Sequence, residues 1–262
     1  MSRSNYWTIV SASVAGSSHV ILDKPCEDSA VCFEKSGNEG SILIAVASDG
    51  AGSAELARIG SRIVVRSIAN AVSKFINDGG SIRSINEETA MTWIDQTRDA
   101  IGHIASKSSR SLRDYAATLV AAIVSDEYFV LIHVGDGACV VAEENSNNYV
   151  VPSWPAQGEY ASTTFFVTQD PLPPVNLVSL EGRFDRIAVF TDGIESLVLE
   201  TASQKAHQPF FDKFFSALQG VTAGRSRYLS KNLKTFLQSK AVLDRTDDDK
   251  TLLLALRANH HQ

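Results

Sequence analysis

Apolar runs of strand length come in clusters along this chain, and stretches with helical periodicity come in pairs between them. That ordering limits the possible folds more than any other feature. Tyr6 to Val14, Ala30 to Glu34 and Ile42 to Ser48 read as strands, the last two joined by the turn-rich Lys35-Ser36-Gly37-Asn38-Glu39-Gly40. Ala15 to Pro25, rich in small and turn residues, reads as a loop. From Ser53 to Asn77 the pattern changes: Val64, Ile68, Val72 and Phe75 or Ile76 recur at helical spacing, and Asp78-Gly79-Gly80 ends the run. Glu87 to Ser106, with Met91, Ile94, Ile101 and Ile104, predicts a second helix. Ala116 to Val124, Tyr128 to Val134 and Ala138 to Ala142 then read as a meander of strands, separated by Ser125-Asp126-Glu127 and Gly135-Asp136-Gly137. The proline-rich stretch from Pro152 to Pro174 suits a surface flap, spanning about 152–176, with one strand-like run at Thr163 to Thr168. Ile187 to Thr191 and Thr251 to Leu256 predict buried strands, and Phe210 to Leu218 and Arg225 to Leu237 predict helices. Paired helices between clustered strands argue for a layered α+β fold rather than a regular βαβ alternation. With no internal repeat and no linker, residues 1–262 read as one domain.

At 262 residues and 44% hydrophobic, the chain can bury a large core. A net charge of -6 and no long basic stripe argue against a dedicated nucleic-acid binder. Three cysteines, Cys26, Cys32 and Cys139, are an odd number without C-x-x-C spacing, which fits a reducing cytoplasm better than a disulfide framework. The start, Met1-Ser2-Arg3-Ser4-Asn5, lacks the apolar core of a signal peptide. No apolar run approaches the roughly 20 residues that cross a bilayer. A cytoplasmic protein with no membrane partner, acting as a monomer, is expected.

Two apolar runs far apart in the chain stop at the same dipeptide. Ile42 to Val46 leads to Ala47-Ser48-Asp49-Gly50, and Val189-Phe190-Thr191 leads to Asp192-Gly193. Two further acidic groups, Glu27-Asp28 and Asp247-Asp248-Asp249, stand where strands begin. Carboxylates converging at strand tips repel one another unless a cation joins them, and hard divalent cations take oxygen ligands. A pair of metals roughly 3.5–4 Å apart would neutralise such a cluster and activate a water between them. Gly50, without a Cβ, would let its carbonyl approach closely. No Cys and His cluster at zinc spacing competes. The plainer alternatives are that Asp-Gly pairs are turns, that Asp247 to Asp249 is a solvated loop and that Glu27-Asp28 is surface charge. Recurrence of all four groups at strand ends favours a shared metal site.

Glu27-Asp28-Ser29, Ala47-Ser48-Asp49-Gly50-Ala51-Gly52, Ala117-Thr118-Leu119, Gly135-Asp136-Gly137, Phe190-Thr191-Asp192-Gly193 and Asp248-Asp249-Lys250-Thr251 resemble, in order, the motifs of the metal-dependent (type 2C) serine/threonine protein phosphatases. The resemblance runs from about His19 to Leu256. Gly16-Ser17-Ser18-His19, and Gly158-Glu159-Tyr160 followed by Thr164 and Phe166, further resemble a bacterial branch. It implies a four-layer α-β-β-α sandwich, two antiparallel sheets flanked by helix pairs, with two manganese or magnesium ions at one end. In that frame Asp49 would bridge both metals and Gly50 would offer its carbonyl. Asp192 and Asp248 would complete one metal's ligands, Glu27 would hold the other through water, Asp28 is its acidic neighbour, and Asp136 matches a third-metal position.

The implied activity is hydrolysis of phosphoserine and phosphothreonine in a phosphorylated protein, by in-line attack of a metal-activated water. No phosphoenzyme is expected, because neither a Cys-x5-Arg loop nor an aspartyl nucleophile motif is present. Three residues depart from the family pattern. Ala51 stands where many eukaryotic members place a histidine general acid, leaving a coordinated water or His19 to protonate the leaving oxygen; His19 otherwise orders its loop. Asp23 stands at the family's phosphate-gripping arginine, so Lys24 would take that role as a point charge rather than a fork. Asp249 replaces an asparagine, and Ser196, with Glu195 beside it, replaces an acidic residue. Rival readings are a catalytically silent phosphatase-like binding module and a phosphatase of small phosphate esters.

Overall fold

The computed structural model describes residues 6–155 and 164–258. Expectations for the first five residues, for Gly158-Glu159-Tyr160 and for the middle of the 152–176 flap lie outside them. In chain order the elements begin with β1 (Trp7–Val14), α1 (Ser17–Ile21), β2 (Ser29–Gly37), β3 (Gly40–Ser48), α2 (Ala57–Asn77) and α3 (Glu87–Lys107). A second run of strands follows: β4 (Leu119–Val124), β5 (Tyr128–Val134), β6 (Ala138–Glu143), β7 (Asn176–Glu181) and β8 (Phe184–Phe190). The last part holds α4 (Glu195–Val198), β9 (Leu199–Glu200), β10 (Lys205–Ala206), α5 (Gln208–Ser216), β11 (Gly224–Arg225), α6 (Arg227–Leu237), α7 (Lys240–Leu243) and β12 (Lys250–Arg257).

Ten of these strands form two sheets, ordered β11-β1-β12-β8-β6 and β2-β3-β4-β5-β7. Pairing is antiparallel throughout except between β1 and the two-residue β11. The sheets pack face to face, and alternation along each strand divides its side chains between two apolar layers. In β3, Leu43, Ala45 and Ala47 point into the layer between the sheets, with Trp7, Phe129, Leu131, Val189 and Leu253. Ile42, Ile44 and Val46 point the other way, onto Val64, Ile68 and Val72 of α2 and Ile94 and Ile101 of α3. The outer face of the β11-β1-β12-β8-β6 sheet packs Val140, Phe190 and Leu252 on Phe211 and Phe215 of α5 and Leu233 and Leu237 of α6. Burial on both faces is why β3 and β12 read as unbroken apolar runs. The expected four-layer sandwich is the observed one.

Several local expectations are corrected. The Ala15 to Pro25 loop contains α1, a single helical turn. The predicted meander breaks after β5: β4 and β5 pair, but β6 crosses to the other sheet beside β8. The turn that makes the switch holds Gly135 at φ +109, a conformation that disfavours other residues. Residues 164–168 form no strand. Val167 donates one backbone hydrogen bond to Ala117, and Arg98 of α3 clasps the carbonyls of Val167 and Gln169 at 2.8 and 2.6 Å. The α2 terminus follows expectation, with Gly79 at φ +87 and Gly80 N–H closing on Phe75 O at 2.9 Å.

Strand register brings the acidic tips to one end of the sandwich. Ser29 pairs with Ser48, which sets Asp28 and Asp49 one step beyond the ladder. Phe190 pairs with both Ala138 and Leu252, which aligns the end of β8 with the starts of β6 and β12.

Candidate metal centre

Asp49 follows the last residue of β3, and Thr118, just ahead of β4, fixes its backbone. Ser48 Oγ donates to Thr118 O (2.6 Å), Asp49 N–H donates to Thr118 Oγ1 (2.9 Å), and Thr118 N–H returns a bond to Asp49 O (2.8 Å). Asp192 opens a 3-10 turn directly after β8, and Asp136 sits in the tight turn between β5 and β6. One carboxylate oxygen each from Asp49, Asp136 and Asp192 lie within 4.8 Å of one another. Thr164 Oγ1 donates to Asp136 Oδ2.

The glycine of each Asp-Gly pair is required by crowding. A Cβ on Gly50 would lie 2.7 Å from Ala57 O and 2.8 Å from Glu27 O, and one on Gly193 would lie 1.8 Å from Asp249 O. The site's own backbone fills the space a side chain would need.

The remaining predicted residues surround the three aspartates. Asp28 is buried, hydrogen-bonds the Asp49 carboxyl and accepts from Thr191 Oγ1 at 2.8 Å. Asp248 adds its charge to Asp49, Asp136 and Asp192 without joining the tight group. Glu27 is set apart: its carboxylate faces His19 Nε2 at 3.7 Å. Its backbone carbonyl accepts from Ser61 Oγ at 2.5 Å. His19 is itself buried, with Nδ1 3.0 Å from Asp249 Oδ1. Lys24 is exposed, donates its N–H to His19 O (2.8 Å) and lends positive charge to the Glu27 carboxylate.

Two contributors escaped the sequence reading. Asp249, read there as part of the Asp247-Asp248-Asp249 group and as a substitution for asparagine but given no role of its own, is buried and accepts from Gly16 N–H (2.7 Å) and Glu27 N–H (2.5 Å). It ties the segment before α1 and the start of β2 to β12. Lys250 is fully buried, and its Nζ donates to Asp248 O at 2.7 Å. The run of three aspartates carried the signal, since neighbours entering a strand point to opposite sides. Only register tells which side is the cleft.

The electrostatics of the cluster favour a cation among the carboxylates. Burial, then the charge and hydrogen bond of Asp28, hold Asp49 well above the usual carboxylate range. Burial and the charges of Asp49, Asp136 and Asp248 push Asp192 up to about 8. Oxygens of Glu27, Asp28 and Asp136 are buried without a hydrogen-bond partner. Buried acceptors in such a state are costly unless a cation meets them, and these are the hard oxygen donors that manganese and magnesium take. The residues present fit a divalent metal site.

Comparison with known proteins agrees. The family model for Protein phosphatase 2C matches residues 15–238. Serine/threonine-protein phosphatase 3 of Escherichia coli (strain K12) is 34% identical over 254 residues, 96% of this chain and 99% of the relative. Among solved structures, PppA of Pseudomonas aeruginosa, described as a key regulatory component of T6SS, superposes with TM-score 0.65 at 14% identity, over 97% of this chain and 99% of its own. Stp1 from Staphylococcus aureus gives 0.60 at 16% identity, over 99% and 98%. The catalytic domain of PstP, in complex with 2 manganese ions, gives 0.58 at 14% identity, over 97% and 99%. At those identities the solved structures establish a shared fold. The family match and the 34% identical relative go further: this chain belongs to the protein phosphatase 2C family.

Proposed function

We propose that the protein is a metal-dependent phosphatase of phosphoserine and phosphothreonine in proteins, acting as one domain with two manganese or magnesium ions. The observation that carries this reading is the convergence of Asp49, Asp136 and Asp192, from three separate strand ends, within 4.8 Å of one another. Those three, with Asp248, Glu27 and the Gly50 carbonyl, would hold the ions. An Asp136 oxygen lies within the same 4.8 Å of Asp49 and Asp192, which supports counting it in the main ligand set rather than only in a third site. When bound, the ions would lower the pKa of a coordinated water from 15.7 towards about 7 and draw charge from the phosphoryl oxygens.

The chain's own residues hold this arrangement. Thr118 fixes the Asp49 backbone, and Asp28, oriented by Thr191, fixes its carboxyl. Lys24 at the rim supplies a point charge for substrate phosphate. His19, held between Asp249 and Glu27, positions α1. Ala51 has no ionisable proton to give, so the leaving alkoxide takes one from water in the cleft. All proposed ligands come from one chain, which supports a working monomer. The net charge of -6 speaks against a nucleic-acid partner, and the three free thiols support a cytoplasmic setting. Among the described residues, no helix is long and apolar enough to cross a membrane.

Turnover of p-nitrophenyl phosphate and of phosphoserine and phosphothreonine peptides, with manganese and with EDTA, tests the reading. Hydrolysis of the peptides that EDTA abolishes is expected. No turnover with manganese bound would indicate a silent module, and preference for the small ester over every peptide would indicate the other rival.

A further inference from the structure

Helix α1 is built inside out. Of its polar residues His19 is the buried one, set against Asp249 and Glu27, while Val20, Ile21 and the following Leu22 are 66%, 82% and 65% exposed. Single exposed apolar side chains are ordinary; three in succession at this exposure make an unusually apolar stretch of surface. This patch stands beside the cleft. Leu22 N–H bonds His19 O, Asp23 N–H bonds Val20 O, and Lys24 N–H also bonds His19 O, so the three residues form the outer turn between the buried histidine and the rim lysine.

The turn is also fixed in place. Ser18 donates both its backbone N–H and its hydroxyl to Asp247 O, at 3.0 and 2.7 Å. Gly16 N–H bonds Asp249 Oδ1 at 2.7 Å. A Cβ on Gly16 would lie 2.2 Å from Asp247 O, so the helix rests directly on the acidic loop that leads into β12. Among the described residues none of these three side chains joins a buried apolar cluster, so core packing does not account for their apolar character.

We infer that Val20, Ile21 and Leu22 form a substrate-docking rim that takes apolar side chains flanking the phosphorylated serine or threonine of a protein. The occupant follows from continuity with the cleft: a polypeptide whose phosphate reaches Lys24 and the aspartates passes over this turn. The inference rests on the phosphatase reading. It adds that the enzyme favours phosphosites with apolar neighbours and selects them through ground-state and transition-state contact outside the metal centre.

The test compares wild type with a triple V20S, I21S, L22S variant, both with manganese. Three substrates are used: p-nitrophenyl phosphate, a phosphothreonine peptide with Leu and Val flanks, and the same peptide with Ser and Gly flanks. The wild type is expected to favour the apolar peptide by about tenfold in kcat/KM, the low end of what a small apolar contact discriminates. The variant is expected to lose that preference, mainly through KM, while its turnover of p-nitrophenyl phosphate and of the polar peptide stays unchanged. Equal wild-type rates on the two peptides overturn the inference, as does a variant that loses all three activities together, which would mean that α1 only supports His19. A mass that rises with concentration in the wild type and not in the variant would assign the patch to a second copy and also overturn it. If the wild type hydrolyses none of the three substrates, the phosphatase reading itself has failed, a result distinct from active enzyme without flank preference.

Discussion

Asp249 offers a sharp test of how the cleft is held. Its two carboxylate oxygens accept from Gly16 N–H and Glu27 N–H, and Oδ1 also meets His19 Nδ1 at 3.0 Å, all in buried surroundings. Asp249→Ala leaves two backbone donors without a partner. Each such buried group costs about 1–3 kcal/mol, reduced where cleft water can reach it, so a loss of about 3 kcal/mol is expected. For a chain of this size 1 kcal/mol shifts Tm by about 2–4 °C, giving a fall of about 6–12 °C. Asp249→Asn keeps one acceptor and turns an amide towards the other donor, so roughly half that loss is expected. Thermal unfolding followed by circular dichroism, in EDTA so that metal binding does not enter, reads both numbers. Manganese titration should then show weaker binding in each variant, because Glu27 and α1 lose their tie to β12. A Tm within about 2 °C of wild type for both variants would refute the clamp and show that water replaces the carboxylate.

Other expectations follow from the same geometry. Burial holds His133, whose Nδ1 meets Ser153 Oγ at 2.9 Å, down to a pKa of about 4, against about 6.5 unfolded. The unfolded chain therefore takes up a proton below pH 6.5 that the native chain refuses, so stability present above 6.5 is lost as pH falls towards 4. Between pH 7 and 5 this amounts to about 2 kcal/mol, read as the difference between the urea-unfolding pH slopes of wild type and His133→Gln. Gly193→Ala places a methyl 1.8 Å from Asp249 O. Backbone must move, so kcat/KM should drop about a hundredfold and stability by about 3 kcal/mol, measured by peptide turnover and Tm. With Asp192 raised to about 8, manganese must displace protons at neutral pH. Affinity should therefore rise with pH up to about 8 and flatten above it, and calorimetry in two buffers of different ionisation enthalpy should reveal proton release at pH 7.

Much of this was legible in the sequence because the signals were local. The Asp-Gly pairs mark where β3 and β8 stop, and the spacing of Val64, Ile68 and Val72 marks the face of α2 that meets the sheet. What escaped depends on distant partners. The β7 strand, Asn176–Glu181, is a half-exposed edge whose one partner is β5, far back in the chain, so its alternating pattern stands without a local hairpin signal. The crossing of β6 to the sheet of β1, β8 and β12 is decided by its pairing with β8. Asp249 differs from Asp248 only in which side of β12 it enters, a matter of register. Helix α1 is one turn long and held by Asp247 and Asp249 rather than by its own periodicity.

The metal-dependent mechanism stands or falls on Asp49. Manganese binding and phosphopeptide turnover should be measured together for wild type and Asp49→Ala, with and without EDTA. Loss of the ligand shared by the proposed site removes several kcal/mol of transition-state stabilisation, which at about 1.4 kcal/mol per decade is a hundredfold fall or more. EDTA should abolish the wild-type activity, and the variant should bind manganese weakly. Turnover that persists in EDTA, or that survives Asp49→Ala undiminished, would contradict the mechanism.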